Sequence, residues 1–277
     1  MPRRTDTMIR AIAANGGVRA FAINSTNLCE RARRAQGTLP TATAALGRLL
    51  SAGVMLAATI KEGERISLRV EGDGPLESLF AQATPDGRVR GYVRQPLVNP
   101  PLRGGKLDVG RAVGTQGELF VIRDLGMREP YVGRVPLQSG EIGDDLAYYF
   151  AVSEQTPSAV GLGVLVDTDN HVIAAGGYIV QALTGASEGV KALLEANIRN
   201  APPPSDLILS LRDPAKVLDV LLDGMAWEEM ERLTPRYYCG CTRAKSRRAL
   251  LALSEADLTE MLAAGEPALV NCDFCGR

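Results

Sequence analysis

Met8 to Ala14 and Val18 to Ile23 alternate apolar and polar positions with the period of two that a half-buried strand requires. Asn15-Gly16-Gly17 between them supplies residues that tolerate positive φ, so a hairpin is predicted. Ser25 or Asn27 then caps a basic helix running to about Gln36. After Pro40 a longer helix carries Leu46, Leu49, Leu50, Val54, Leu56 and Ile60, apolar around most of its circumference and therefore mostly buried. A run of strands follows. Ile66 to Val70 alternates, Leu76 to Ala83 is ended by Pro85-Asp86-Gly87, and Val89 to Val93 comes next. Pro96 to Gly105 is a loop rich in Pro and Gly, and Glu118 to Asp124 is a further strand.

A second helical stretch is predicted from near Gly140-Glu141-Ile142 to near Gln155, where Pro157 stops it. Val160 to Val166 and Val172 to Ala175 are apolar strands around Asp167-Thr168-Asp169-Asn170. Ser187 caps a helix to about Asn197, and Ala201-Pro202-Pro203-Pro204 is the clearest linker. Beyond it Val217, Leu218, Leu221, Leu222, Met225, Met230 and Leu233 recur at roughly helical spacing, which predicts helix through this stretch. Strands in succession with few helical crossovers point to an α+β fold, a body with a mainly antiparallel sheet and packed helices.

Composition removes several classes of function. With 31 basic and 32 acidic residues the formal net charge is -1, which gives no push toward nucleic acid or an anionic membrane. Met1 to Asp6 leads into a strand and not into the apolar core of a signal peptide. The longest apolar stretch, Leu49 to Ile60, is far too short to span a bilayer. A cytoplasmic protein without nucleic-acid or membrane partners is expected. The lone histidine, His171, beside Asp169-Asn170, reads as a turn residue, and no Gly-Lys-Ser/Thr follows the Gly-rich segments, so no enzyme is predicted.

Five cysteines carry the chemistry. Cys29 stands alone within the basic helix and reads as a buried bystander. The other four form Cys239-Gly240-Cys241 and Cys272-Asp273-Phe274-Cys275. In a reducing cytosol such pairs are metal ligands more often than disulfides, and Zn(II) takes four thiolates in a tetrahedron. Ser254 with Asp257 resembles a capping box and Gly265 a helix stop, so the segment between the pairs is a small helical insert. From Arg232 to Arg277 only about a dozen large apolar side chains occur, too few to hold such a module unaided. The chain therefore divides into an α+β core over 1–180, a helical linker over 181–231 and a small C-terminal four-cysteine zinc module over 232–277. Arg243, Lys245, Arg247 and Arg248 favour thiolates, or are simply a solvated helix face. The residues alone leave three readings open: a redox switch, a purely structural zinc tail, and a nucleic-acid-binding zinc ribbon.

The two cysteine pairs resemble the tail of the bacterial 33 kDa chaperonin family, redox-regulated heat-shock chaperones. The body agrees. Tyr131-Val132-Gly133-Arg134-Val135-Pro136-Leu137 with Ser139-Gly140-Glu141-Ile142, and Asp145-Leu146-Ala147-Tyr148-Tyr149-Phe150 with Ser153-Glu154-Gln155, are similar to family stretches. So are Leu162-Gly163-Val164, Ala174-Ala175-Gly176-Gly177-Tyr178 and the Asn15-Gly16-Gly17, Arg19-Ala20 region. The resemblance implies a holdase that works without ATP. Reduced, it would hold one Zn(2+) per chain on Cys239, Cys241, Cys272 and Cys275, with a metastable linker packed on the body. Oxidised, it would form the disulfides Cys239–Cys241 and Cys272–Cys275, lose the metal, dimerise, bind unfolded client proteins and pass them to the ATP-driven 70 kDa chaperone system. Two features depart from the family pattern. Thr184-Gly185-Ala186-Ser187 lacks the usual proline. The sequence also ends at Gly276-Arg277, where family members usually continue, so the expectation is either that the Cys272–Cys275 pair lets go more easily or that the site is weaker.

Overall fold

A computed structural model describes residues 5–267 and 269–276; Met1 to Arg4 at the start and the terminal Arg277 lie outside the described residues. The predicted hairpin forms from β1 (Thr7–Ala13) and β2 (Val18–Asn24), with Ala14 and Asn15 at φ 50° and 52° in the turn. The helices α1 (Thr26–Gln36) and α2 (Pro40–Ala57) follow. The cap of α1 differs from expectation. Ser25 occupies the cap position without bonding by its side chain, while the buried carboxylate of Asp6 accepts from the N–H groups of Asn27 (3.0 Å) and Leu28 (2.7 Å). The cap thus comes from the entry to β1 and ties that strand to the helix.

Next come β3 (Arg65–Gly72), β4 (Ser78–Ala83), β5 (Arg88–Val93), a short α3 (Val109–Val113), β6 (Gly117–Asp124), β7 (Tyr131–Pro136) and α4 (Gly143–Val152). The helical stretch predicted from Gly140 begins only at Gly143. Before it, the fully buried Asp145 carboxylate accepts from the N–H groups of Gln138, Ser139 and Ile142 and holds them in a turn.

The strand β8 (Ser158–Val166) pairs with β9 (Val172–Ala182), which runs well past the predicted end at Ala175. Gly176 and Gly177 do not break it. A Cβ on either would come 2.0 Å from a neighbouring strand's carbonyl, at Ile23 and Gly161 respectively, so glycine here permits close backbone approach.

The helices α5 (Glu188–Asn200), α6 (Pro204–Leu211) and α7 (Pro214–Leu221) succeed β9, with Ser187 capping α5 as predicted. The helical spacing read through Met230 and Leu233 is overturned. Trp227–Leu233 is a strand, β10, antiparallel on the free edge of β1 with a bulge at Arg10/Ala11 and an Arg10–Glu231 ion pair. Met230 is exposed in that strand, so it never shared a face with the buried α7 residues. The two-residue β11 (Arg236–Tyr237) follows, then α8 (Arg243–Leu250) and α9 (Glu255–Ala264).

Two sheets result, ordered β10-β1-β2-β9-β8 and β11-β5-β4-β3-β6-β7, antiparallel throughout except for the parallel β11–β5 pair. The central α2 lies between them and buries every residue except Pro40 and Arg48. The other face of the five-stranded sheet, rich in Ala11, Ala20 and Ala22, is covered by Leu207, Val217, Leu218 and Leu221 of α6 and α7.

Candidate metal centre

The route to the cysteines starts at the edge of the six-stranded sheet. After Thr234-Pro235, β11 lies along β5 with Arg236 opposite Arg88 and Tyr237 opposite Val89, and Tyr238 continues the pairing by donating to the Val89 carbonyl. Tyr237 is buried, and its hydroxyl donates to the Gly91 carbonyl at 2.9 Å and toward that of Phe274. This pins the chain just before Cys239. Between the pairs, Thr242 caps α8, and Ser254 with Asp257 forms the expected capping box on α9, which Gly265 ends at φ 66°. Neither helix buries a single side chain. The chain returns in a turn closed by Cys275 N–H and Gly276 N–H to the Cys272 carbonyl, and Gln36 of α1 donates to the Asp273 carbonyl at 2.6 Å.

The four cysteine sulfurs meet there, all within 4.8 Å of one another. The shortest separations run across the pairs, 3.5 Å for Cys239–Cys272 and 3.2 Å for Cys241–Cys275. Four thiolates around one tetrahedral zinc stand about 3.8 Å apart, from a Zn–S bond of about 2.3 Å. The cluster therefore fits a four-sulfur metal site, and the cysteines could bind a metal ion. Crowding and the local donors divide their acidity. Cys241 is pushed up to about 12, first by hydrogen bonding with the Cys275 thiol and then with that of Cys239. Burial opposes ionisation of Cys272, yet the Phe274 N–H, the Cys239 thiol and the Cys275 N–H outweigh it and hold Cys272 below the ordinary thiol value. A cavity of about 220 Å³, lined by Arg31, Ala35, Tyr237, Cys239, Cys241 and Cys275, opens beside the sulfurs.

A family model described as Hsp33 protein matches residues 6–277. The chain belongs to the Hsp33 family. Curated relatives named 33 kDa chaperonin include those of Clostridium tetani, 42% identical over 98% of this chain and 93% of its own, and of Geobacter sulfurreducens, 43% identical over 99% and 91%. Among solved structures, the 33 kDa chaperonin (heat shock protein 33 homolog) of Thermotoga maritima superposes with a TM-score of 0.92 at 38% identity, covering 99% of this chain and 93% of that one. The Hsp33 relatives are named as chaperonins, not as enzymes, and the α+β architecture with its C-terminal cysteine cluster agrees with that fold.

Other residues singled out in the sequence lie apart from the cluster. Cys29 is buried against Ser25 and Gly47, and burial pushes its thiol up to about 12. His171 sits exposed in a turn whose Asp167 carboxylate accepts from the Asp169 and His171 N–H groups. Arg243, Lys245, Arg247 and Arg248 line the exposed surface of α8, and Lys245 alone of them folds back, donating to the Gly240 carbonyl at 2.7 Å.

One residue that positions the cysteine turn escaped the sequence reading. Phe274, between Cys272 and Cys275, inserts its ring against Tyr92 (5.5 Å, 68°) and Phe80 (6.1 Å, 58°), with the Arg90 guanidinium 4.2 Å from its centroid. Such aromatic pairs contribute ~0.5–1.5 kcal/mol beyond burial, and a partly exposed cation–π contact ~0.5–1 kcal/mol. The cysteine turn is thereby docked on the outer face of the six-stranded sheet. An aromatic residue inside a Cys-x-x-Cys turn was the available signal. Among the described residues no helix is long and apolar enough to cross a membrane.

Proposed function

We propose that this chain is a redox-regulated, ATP-independent holdase chaperone of the cytoplasm, switched by a zinc–thiolate site on Cys239, Cys241, Cys272 and Cys275. The observation that carries the reading is the convergence of the four sulfurs within 4.8 Å in a module whose helices bury no side chain. One Zn(2+) per chain would keep all four sulfurs as thiolates and contribute about 10–16 kcal/mol to folding of residues 232–277. Residues 1–180 form the working body. The helices within 181–231 form a metastable cover, because they rest on a shallow face of alanines and are continuous through β10 with the module.

Oxidation acts on the sulfurs. Peroxide entering by the cavity beside them oxidises one thiolate of a pair to a sulfenic acid, the peroxide O–O bond breaking and hydroxide leaving. The neighbouring thiolate then attacks the sulfenic sulfur, the S–S bond forming as the S–O bond breaks and hydroxide leaves. Each disulfide, Cys239–Cys241 and Cys272–Cys275, thus consumes one peroxide and transfers two electrons to it. The shortest separations run across the pairs, but all four sulfurs lie within 4.8 Å, so the short link of each pair and not proximity favours local pairing. The oxidised sulfurs no longer form a thiolate set and release the metal. The module and then α5–α7 lose structure, and the uncovered apolar surface holds unfolding clients. The active form is a homodimer that hands clients to the ATP-driven 70 kDa chaperone system.

The test follows zinc release, thiol loss and suppression of client aggregation together, in reduced protein and after peroxide at a mildly unfolding temperature. The expected result is about one zinc released per chain as four thiols disappear, with holdase activity arising only then. Zinc that stays bound, or leaves without activity, would make the site purely structural.

A further inference from the structure

The outer face of the six-stranded sheet carries a row of side chains straight across the strands. The register sets Tyr92 beside Phe80, Phe80 beside Arg69, Arg69 beside Phe120 and Phe120 beside Arg134. Tyr92 and Phe80 stack at 5.6 Å and 23°, and the Arg69 guanidinium lies 4.2 Å from the Phe120 centroid. At the Tyr92 end the row is covered by the tail: Phe274 completes a cluster of three rings and Arg90 lies over it. The ring partners of Phe274 belong to the body, so Phe274 occupies the sheet as a ligand would. Its backbone carbonyl is held by the Tyr237 hydroxyl.

We propose that Phe80, Tyr92 and Arg90 form a binding cradle for a Phe or Tyr side chain of an unfolded client, kept closed by Phe274 while the cysteines are reduced. The inference rests on the holdase reading and adds to it the site and the residue type recognised. The present occupant shows what fits, an aromatic ring presented on a non-helical backbone. The chemistry selects it, because tilted ring contacts and a guanidinium over the ring face reward a π system and give a leucine of similar volume nothing comparable. Folded proteins keep most Phe side chains inside, so such a cradle discriminates unfolded chains from folded ones. An extended client backbone is accommodated as well. Among the described residues the edge of β5 is covered by the two residues of β11 and by Tyr238, and melting of the tail would free its N–H and C=O groups for strand addition. A groove of about 170 Å³, lined by Gln82, Arg88, Arg90 and Tyr238 among others, continues from the cradle along β5.

The test uses the full chain and two fluorescent, unstructured peptides that differ only in one Phe or Leu. Reduced, zinc-loaded Phe274→Ala has its cradle empty without oxidation. It should bind the Phe peptide about tenfold more tightly than reduced wild type, and oxidised wild type should prefer Phe over Leu by about threefold or more. Phe80→Ala with Arg90→Ala should erase that preference in the oxidised protein, an arm that holds even if Phe274→Ala disturbs the metal site. Equal binding of the two peptides, or an oxidised double variant that keeps the preference while client aggregation is still suppressed, would overturn the cradle and leave the holdase reading intact. If oxidised wild type neither binds peptide nor suppresses aggregation, both fall. Salt-sensitive binding of a single-stranded oligonucleotide in place of the peptide would assign the arginine–aromatic row to nucleic acid and overturn the proposal.

Discussion

The hydroxyl of Tyr237 donates to the carbonyl of Gly91 across 2.9 Å. Through this bond the last strand before the cysteines is fastened to β5, and the same hydroxyl reaches the carbonyl of Phe274. Burial pushes the Tyr237 phenol up to about 12, so the group remains a neutral donor at every working pH. Gly91 is suited to this contact, because a Cβ there would come 2.4 Å from the Phe80 carbonyl and force β4 and β5 apart.

Replacing Tyr237 with Phe keeps the ring and removes the donor. The buried Gly91 carbonyl then loses its donor, a cost of about 1–3 kcal/mol borne by the docking of the cysteine module. Amide hydrogen exchange should quicken over residues 239–276 and stay unchanged in β1, β2 and β9. A uniform loss of protection across the chain, or none at all, would show that this hydroxyl does not fasten the tail.

Leu218→Ala addresses the other cover. Leu218 is fully buried on α7, facing the alanine-rich sheet of Ala11, Ala20 and Ala22, where little side-chain volume could move in to fill a cavity. The truncation should cost about 2–5 kcal/mol. On a cover this shallow that is enough to lift α7 while the interior around α2 stays packed. Reduced Leu218→Ala should bind an apolar dye strongly and suppress client aggregation without oxidant. Unchanged dye binding with an unchanged melting temperature would mean that α7 does not act as a lid.

What the sequence revealed depended on how local the determining contacts were. The first hairpin, the buried α2, the capping box at Ser254 and the two cysteine pairs rest on neighbours in the chain and follow their patterns closely, though α2 ends at Ala57, short of the Ile60 its pattern included. The failures involve distant partners. β7 is an edge strand whose Tyr131 and Val132 are both exposed, on opposite faces, so no apolar alternation marks its start. β10 exists because β1 offers a free edge more than two hundred residues earlier, and its Met230 and Leu233 continue the helical spacing of α7 until that edge is known. Phe274 reads as a filler between two ligands, since Phe80 and Tyr92 are brought to it only by the fold.

Cys29 provides a test of which thiols can respond to oxidant. It lies among Ser25, Ser51 and Gly47, and burial, the dominant effect, pushes it up to about 12. The four tail cysteines are only half-buried. With metal stripped the module melts and frees Cys241 from the neighbouring thiols that raise it, so alkylation at pH 8 should label those four within minutes and leave Cys29 unlabelled until denaturant is added. Mass spectrometry of the trapped protein gives the count, and rapid labelling of Cys29 would reveal an opening of the body near α1.

Glu30 ties α1 to β9 and should set the acid limit of the body. Its carboxylate accepts from Arg33 at 2.8 and 2.9 Å, from Arg34 at 2.6 Å and from the Val172 N–H at 3.1 Å. Burial alone would disfavour the charge, but the Arg33 hydrogen bonds, then the Val172 N–H and Arg34, outweigh it and hold the group at about 2 instead of 4.5. A carboxylate with a depressed folded-state value stabilises the native state above its unfolded value and ceases to as pH falls through the folded one. Its contribution is therefore whole above pH 4.5 and lost between there and about pH 2. Glu30→Gln cannot ionise, so at neutral pH the variant should melt below the wild type, and the gap between the two should close as pH falls through that window. Melting curves followed by circular dichroism between pH 7 and pH 2 decide it. A gap that persists unchanged to pH 2 would show that the amide costs stability through packing around Val172 and not through the lost charge.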